Sequence, residues 1–285
     1  MSSQLDLFGA PSPVINPDGS VKGSKVIYAP KGPAGEYAAP ATNPYDGCGH
    51  GCDYPCYVTE AGFTRLTREQ FNAGAVLRPN FIANLRADAA AYQAVGITEQ
   101  VTMTFTSDPY HPGDTQPTRT AIETLIEHGL GVCVLTKGGR RPLRDLNLFR
   151  HDRDAFAVTL ISLDDDFCRK WEPKAPLPGA RIAGLKRFHE AGIFTWVSAE
   201  PVLDPEATLA MVEATYPFVR LFKIGKVNYS RLAQTIDWHD FTRLMLDLLN
   251  RVGAGAYFKR DLQPFLPPGY PNPMRVPQHH GGGAR

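Results

Sequence analysis

No apolar run in this 285-residue chain approaches the length of a membrane span, and "MSSQLDLFGAPS" at the N-terminus has no basic stretch leading into an apolar core. Neither a bilayer-spanning segment nor a secretory leader is expected, and the chain reads as cytoplasmic. A charge imbalance is also lacking. The formal net charge is +1, so nucleic-acid binding would need a local basic patch. No G-x-G-x-x-G follows an early strand and no G-x-x-x-x-G-K-[ST] occurs, which weakens the dinucleotide-fold and phosphate-loop readings. There is no internal repeat. Cysteine is scarce, at five residues. In a reducing compartment clustered thiols favour a metal or redox role over a disulfide framework. Cys133, in the apolar run "GVCVL", reads as a buried small residue.

What is present is a core and an alternation. Hydrophobic residues make up 43% of the chain, ample for a packed interior. Residues 1–36 are rich in Gly, Pro and Ser and read as an extended arm, and residues 261–285 read as a Pro/Gly-rich tail. The closing "HHGGGAR" reads as a flexible end rather than a metal site. Between them, over 37–260, β-rich runs occur at Gln100 to Ser107, Gly131 to Thr136, Ala155 to Leu163, Phe194 to Ala199 and Val219 to Gly225. Helical patterns separate them. Ile122, Leu125 and Ile126 share one face before Gly129; Ile182, Leu185 and Phe188 share another before Gly192. A third stripe has Phe241, Leu244, Met245, Leu248 and Leu249, with Asp237 as its cap. Such α/β alternation predicts a parallel sheet with right-handed crossovers, and a full or partial (β/α) barrel has its chemistry at the C-terminal ends of the strands.

Those ends carry polar residues: Ser107, Asp108 and Tyr110; then Thr136, Lys137, Arg140, Arg141 and Arg144; then Ser162; then Ser198 and Glu200; then Lys223, Lys226 and Asn228. Lys223 alternates with Phe222 and Ile224, so it points away from their face. Solvated loops are polar in any protein, so each residue alone says little. Their recurrence at successive strand ends marks one rim for a polar ligand.

The stretch "NPYDGCGHGCDYPCYV" holds Cys48, Cys52 and Cys56, each four positions from the next. Structural zinc normally closes on four ligands, often from C-x₂-C pairs, and the nearest fourth candidate, His50, lies awkwardly between two of the cysteines. A disulfide would leave one thiol over. A [4Fe–4S] cube takes one thiolate per iron, so three leave one iron open to bind a ligand. Gly47, Gly49 and Gly51 allow the loop to curl.

"GCGHGCDYPCY" resembles the cluster loop of radical S-adenosylmethionine (SAM) enzymes, in particular their spore photoproduct lyase-like branch, and "TSDPY", "LTK", the Ser162 strand and "EPKAP" follow in that branch's order. The resemblance runs from about Asn43 to Asn228 and implies a partial (β/α)₆ barrel. It implies that Cys48, Cys52 and Cys56 hold the cube and that the fourth iron chelates SAM. An electron from a donor such as flavodoxin or ferredoxin would then release a 5′-deoxyadenosyl radical that takes hydrogen from a substrate. By motif position Ser107 and Asp108 meet the methionine amino end or ribose, Lys137 the SAM carboxylate, Ser162 ribose or carboxylate, and the backbone of Tyr54 and Pro55 the adenine. Two departures stand out. The family spacing is C-x₃-C-x₂-C, and Pro55 adds a residue; a defined bulge accommodates it if the sulfurs keep their places. The branch's repair enzyme has a cysteine two residues before the Ser of T-S-D, where this chain has Phe105, which cannot return a hydrogen atom.

The branch acts on a thymine-derived base in DNA, and radical SAM isomerases that hypermodify phage thymine are a precedent. The resemblance thus implies DNA or a modified nucleotide as partner. Phe105, Tyr110, Arg140, Arg141, Glu172, Glu200 and Lys223 are the substrate-side candidates. Lys137, Arg140, Arg141, Arg144, Arg150 and Arg153 are available to phosphates, and Trp171, Tyr110 and Tyr229 to a stacked base. The bland alternative is a solvated helix face and core aromatics. A peptide or small metabolite is a second substrate class, and a non-catalytic metal-stabilised binding module a third reading.

Overall fold

Strand and helix alternate through most of the computed structural model, which describes residues 13–37 and 40–270. The strands are β1 (Ile27–Tyr28), β2 (Ala41–Thr42), β3 (Tyr45–Gly47), β4 (Ala75–Leu77), β5 (Gln100–Met103), β6 (Gly131–Thr136), β7 (Ala155–Thr159), β8 (Phe194–Val202), β9 (Leu221–Lys226) and β10 (Gly255–Phe258). The helices are α1 (Tyr57–Glu60), α2 (Arg68–Ala73), α3 (Phe81–Ala94), α4 (Gln116–Glu127), α5 (Asp165–Trp171), α6 (Pro178–Glu190), α7 (Pro205–Thr215) and α8 (Trp238–Val252).

Among the described residues the main sheet runs β1-β2-β5-β6-β7-β8-β9-β10, parallel throughout except for the antiparallel β1–β2 pair. Parallel strands in chain order with helices between them form the partial barrel expected from the sequence. No described helix is long and apolar enough to cross a membrane.

Period-two alternation sorts the strand residues. Val132, Val134, Phe156, Val158, Val197, Phe222 and Ile224 pack outward with the helices in the larger core. Ala41, Cys133, Ala155, Ala157, Phe194, Trp196, Leu221 and Tyr257 point inward, where Tyr37 and Phe105 join them. Alanines on β2 and β7 leave room for Trp196 and the Tyr37 ring. Lys223 lies on the inner face with them, as its alternation with Phe222 and Ile224 requires.

The helices end where their sequence says. Asp237 accepts from Asp240 N–H at 3.0 Å and caps α8, which Gly253 terminates at φ +67°. The arm is anchored at its inner end. Asp88 on α3 accepts from the backbone N–H groups of Lys25, Val26 and Ile27 at 2.6–2.9 Å. Glu36, also buried, accepts from Tyr257 OH at 3.0 Å and Arg260 N–H at 2.8 Å. The segment after β1 thus reaches β10 at the opposite edge of the sheet. Residues 1–12 of the expected arm and 271–285 of the expected tail, including "HHGGGAR", lie outside the described residues.

Candidate functional site

The cysteine loop leaves the C-terminal end of β3 beside the β2 edge of the barrel. Gly47 takes φ +81° where a Cβ would stand 2.1 Å from the Gly74 carbonyl oxygen, so only glycine fits the turn. α2 begins with a capping box between Thr67 and Gln70, and near its end the Phe71 carbonyl accepts from Cys48 N–H at 2.9 Å. Arg68 donates to the Asp53 and Cys52 carbonyls at 2.8 and 3.2 Å. Asp53 N–H donates to the Trp171 carbonyl at 2.8 Å, and Cys56 takes the N-cap position of α1 with no side-chain cap hydrogen bond. The residue added around Pro55 is therefore taken up between two fixed points, Asp53 and the start of α1.

Cys48, Cys52 and Cys56 are unpaired and partly exposed. Burial pushes the Cys48 thiol well above its usual range, with the Asp108 carboxylate adding to it; burial also raises Cys52, against the pull of Lys137. Among the described residues no three His, Cys, Asp or Glu side chains converge to hold a single metal ion. A lone ion needs its ligands converging on one point, whereas a cube takes each thiolate on a separate iron. The donor set, three soft thiols with an ammonium group nearby, fits a [4Fe–4S] cluster with one open iron.

Asp108 departs from its expected part. Its Oδ1 accepts from Thr136 OH at 2.5 Å and Tyr110 N–H at 2.7 Å; its Oδ2 accepts from Lys137 N–H at 2.7 Å and lies 2.9 Å from His50 Nε2. Burial would raise its pKa, but His50 and these donors outweigh burial and hold the carboxyl well below the usual range. A carboxylate offers about four lone-pair sites. All are engaged, which leaves none for the methionine amino group or ribose. Asp108 instead braces the cysteine loop, through His50, against the end of β6. Ser107 does similar work, donating to the Gly47 carbonyl at 2.5 Å.

Lys137 reaches toward the loop with its Nζ 3.6 Å from Glu172 Oε1 and 5.8 Å from the Tyr54 ring centre. Burial opposes its charge, but Cys52 and Glu172 more than compensate and keep it protonated. Glu172 was expected beside substrate. It lies sealed beneath the loop, 2.5 Å from the Arg181 guanidinium and accepting from Tyr54 OH at 2.8 Å. Its position therefore serves Lys137 and Tyr54. Ser162 Oγ accepts from Asp164 N–H at 3.0 Å in the turn after β7.

Other substrate-side candidates separate. Tyr110 is fully buried in the outer core and donates to Asp145 at 2.8 Å, which removes it from stacking on a base. Of the basic cluster, Arg144 pairs with Asp145 at 3.2 Å and Arg150 with Asp154 at 3.0 Å. Both are committed to the fold. Arg140 and Arg141 are exposed on the β6 rim loop. Trp171 packs against the outer core, and Tyr229 is 62% exposed.

Phe105, Glu200 and Lys223 do come together, around residues that the sequence did not single out. Lys223 Nζ donates to the Tyr37 carbonyl at 2.8 Å and lies 4.6 Å from the centres of both the Tyr37 and Trp196 rings. Tyr37 OH donates to Glu200 and lies 3.1 Å from Ser198 Oγ. Lys259 grips Glu200 at 2.8 and 2.9 Å. Phe105 meets the Tyr37 ring edge-on at 5.6 Å, and the Phe105 carbonyl accepts from Tyr57 OH, one residue beyond Cys56. Lys259 lies one residue past β10, in period two with Tyr257, where no strand is expected from the sequence. Tyr37 and Arg181 carried no local signal.

Comparison with known proteins agrees with this geometry. The family model of the radical SAM superfamily matches residues 42–219. Spore photoproduct lyase complexed with dinucleoside spore photoproduct shares the fold at 15% identity and a TM-score of 0.61, over 84% of this chain and 80% of that one. Streptococcus suis SuiB bound to precursor peptide SuiA does so at 16% identity and a TM-score of 0.53, over 76% of this chain but 47% of that one. The uncharacterized protein ORF301 of Acidianus two-tailed virus is 28% identical over 195 residues, 65% of this chain. The chain spans 64% of that relative, just under two thirds. The chain belongs to the radical SAM superfamily, whose enzymes work with a [4Fe–4S] cluster and S-adenosylmethionine.

Proposed function

We propose that this radical SAM enzyme modifies or rearranges a thymine-derived base in DNA. When bound, cluster and cofactor supply a 5′-deoxyadenosyl radical that abstracts hydrogen from the substrate. The chain's own residues bind and orient. Cys48, Cys52 and Cys56 would hold the cube. Lys137, whose ammonium is only loosely engaged by Glu172, would take the cofactor's carboxylate. Tyr54, fixed through its hydroxyl on Glu172, would present the adjoining backbone to adenine. Ser162 would contact ribose from the β7 turn, and Phe105 and Tyr57 would wall the space between cofactor and substrate. An electron donor such as flavodoxin or ferredoxin would feed the cluster.

The observation that carries the substrate reading is the extent of the likeness to spore photoproduct lyase, 84% of this chain and 80% of that one. This chain therefore has the equivalent of most of a protein seen with a dinucleoside photoproduct, but of less than half of one seen with a peptide. The Phe105 position removes the hydrogen-returning thiol, so a modified or rearranged base is favoured over repair. The test is anaerobic reconstitution with SAM and reductant, offering thymine-containing DNA, free nucleosides and peptides in parallel. 5′-Deoxyadenosine formation stimulated by the DNA is expected. Stimulation by peptides alone would replace the DNA reading with the peptide one.

A further inference from the structure

We propose that the Glu200–Lys259 pair at the barrel mouth receives the Watson–Crick edge of an unstacked base, with Tyr37 and Phe105, packed edge-on against each other, as one wall beside it. This rests on the nucleic-acid reading above and assigns the residues that would recognise the base. The pair stands at the C-terminal ends of β8 and β10, the rim where barrel chemistry is placed. It adjoins the cysteine loop: Tyr57, next to Cys56, donates to the Phe105 carbonyl, Phe105 packs edge-on against Tyr37, and Tyr37 donates to Glu200.

The pair is poorly explained as a strut. A buried ion pair gains little over well-packed apolar residues once desolvation is counted. Here the Glu200 side chain keeps 22% of its surface open, against 8% for Lys259, so the pair is not sealed from solvent on the Glu200 side. Capacity is left over. Lys259 and Tyr37 make three contacts to the Glu200 carboxylate, leaving about one of its four acceptor sites. The Lys259 ammonium has three donors; Glu200 takes two contacts from it, and the Tyr37 ring lies 4.8 Å away. An open acceptor site on Glu200 therefore stands next to an ammonium whose third N–H has only a ring face nearby, which a stronger carbonyl acceptor would displace.

That arrangement selects the ligand class. The pairing edge of a base presents a donor and an acceptor side by side. A trans peptide points its N–H and C=O in opposite directions and cannot satisfy both groups at once. Enzymes that act on an extruded base read that edge by hydrogen bonds and hold its faces with aromatic or apolar side chains. The backbone opposite is built for close approach. A Cβ on Gly225 would lie 2.8 Å from Glu200 Cδ and 2.8 Å from Lys259 Cδ, so any side chain there would displace the pair. Lys223 is a positioning residue, holding the Tyr37 carbonyl from below.

The experiment uses the full chain and dye-labelled short single strands whose only base is a central thymine, an N3-methylthymine, or an abasic site. Fluorescence anisotropy reads binding without turnover. The thymine strand is expected to bind best, and N3-methylation, which blocks the edge, to weaken binding about tenfold or more. Glu200→Gln and Tyr37→Phe should shrink the gap between the thymine and N3-methylthymine strands. If the two strands bind equally well while both outbind the abasic strand, a base is held but not by this pair; the inference falls and the nucleic-acid reading stands. If thymine and abasic strands bind alike, no base is recognised and both fall.

Discussion

Glu172 Oε2 lies 2.5 Å from the Arg181 guanidinium, with both side chains sealed from water, while Glu172 Oε1 accepts from Tyr54 and faces Lys137. One carboxylate thus ties a buried arginine on α6 to the cysteine loop and to the expected cofactor lysine. Arg181 also donates to the Thr159 carbonyl at 3.0 Å and the Pro176 carbonyl at 2.7 Å, so its place is fixed independently.

Removing one partner of that pair should be costly. Arg181→Met is expected to lower unfolding free energy by about 3–5 kcal/mol, because it strands a buried carboxylate. Arg181→Met with Glu172→Met should recover much of the loss in chemical denaturation. SAM affinity should stay low in the double variant, since Tyr54 and Lys137 have lost their anchor.

The three loop cysteines should be indispensable individually. Cys48→Ala, Cys52→Ala and Cys56→Ala are each expected to abolish retention of iron and sulfide after anaerobic reconstitution, with circular dichroism unchanged. Cys133→Ala and Cys168→Ala should retain the cluster, because both thiols are buried elsewhere. Iron and sulfide analysis of the five variants checks this.

The exposed and the committed arginines should behave differently. Arg140→Ala and Arg141→Ala are expected to weaken single-strand binding and to lower the salt slope of log K by about 0.7 each. Arg144→Ala and Arg150→Ala should instead lower the melting temperature, since each leaves a buried aspartate short of its partner. Binding titrations at several salt concentrations, with melting curves, separate the two groups.

Lys223 predicts a pH dependence. Burial pulls its pKa from 10.5 down to about 7; Cys133 opposes this, Lys259 assists it, and Glu36 and Glu200 oppose it. Between those values the unfolded chain holds a proton that the folded chain lacks, so stability rises with pH across that window. Below about pH 7 both states hold it and the dependence vanishes. Stability of the wild type minus that of Lys223→Met should rise by up to about 1.4 kcal/mol per pH unit between roughly pH 7 and 9. A flat difference would place the Lys223 proton elsewhere.

Much of this was legible from local pattern. The three cysteines, the glycines between them, the Asp237 cap and the inward turn of Lys223 all follow from spacing or period. β2 was not, because two residues, Ala41 and Thr42, carry no periodicity. Tertiary contacts across the chain were not legible either. Glu36 meets Tyr257 across 221 positions and Tyr37 meets Glu200 across 163, and nothing near residues 36–37 announces such partners. Tyr110 and Asp108 show the converse: a polar residue at a strand end looks like a ligand contact until its partners are known, and here Asp145 and the β6 rim already occupy them.

The account is tested most directly by following the abstracted hydrogen. Reconstituted protein with SAM and reductant is given single-stranded DNA whose thymidines are fully deuterated. Deuterium is expected to appear in 5′-deoxyadenosine or in S-adenosylmethionine. Cofactor cleavage that leaves both free of deuterium would show that the radical is made but that thymidine in DNA is not what it attacks.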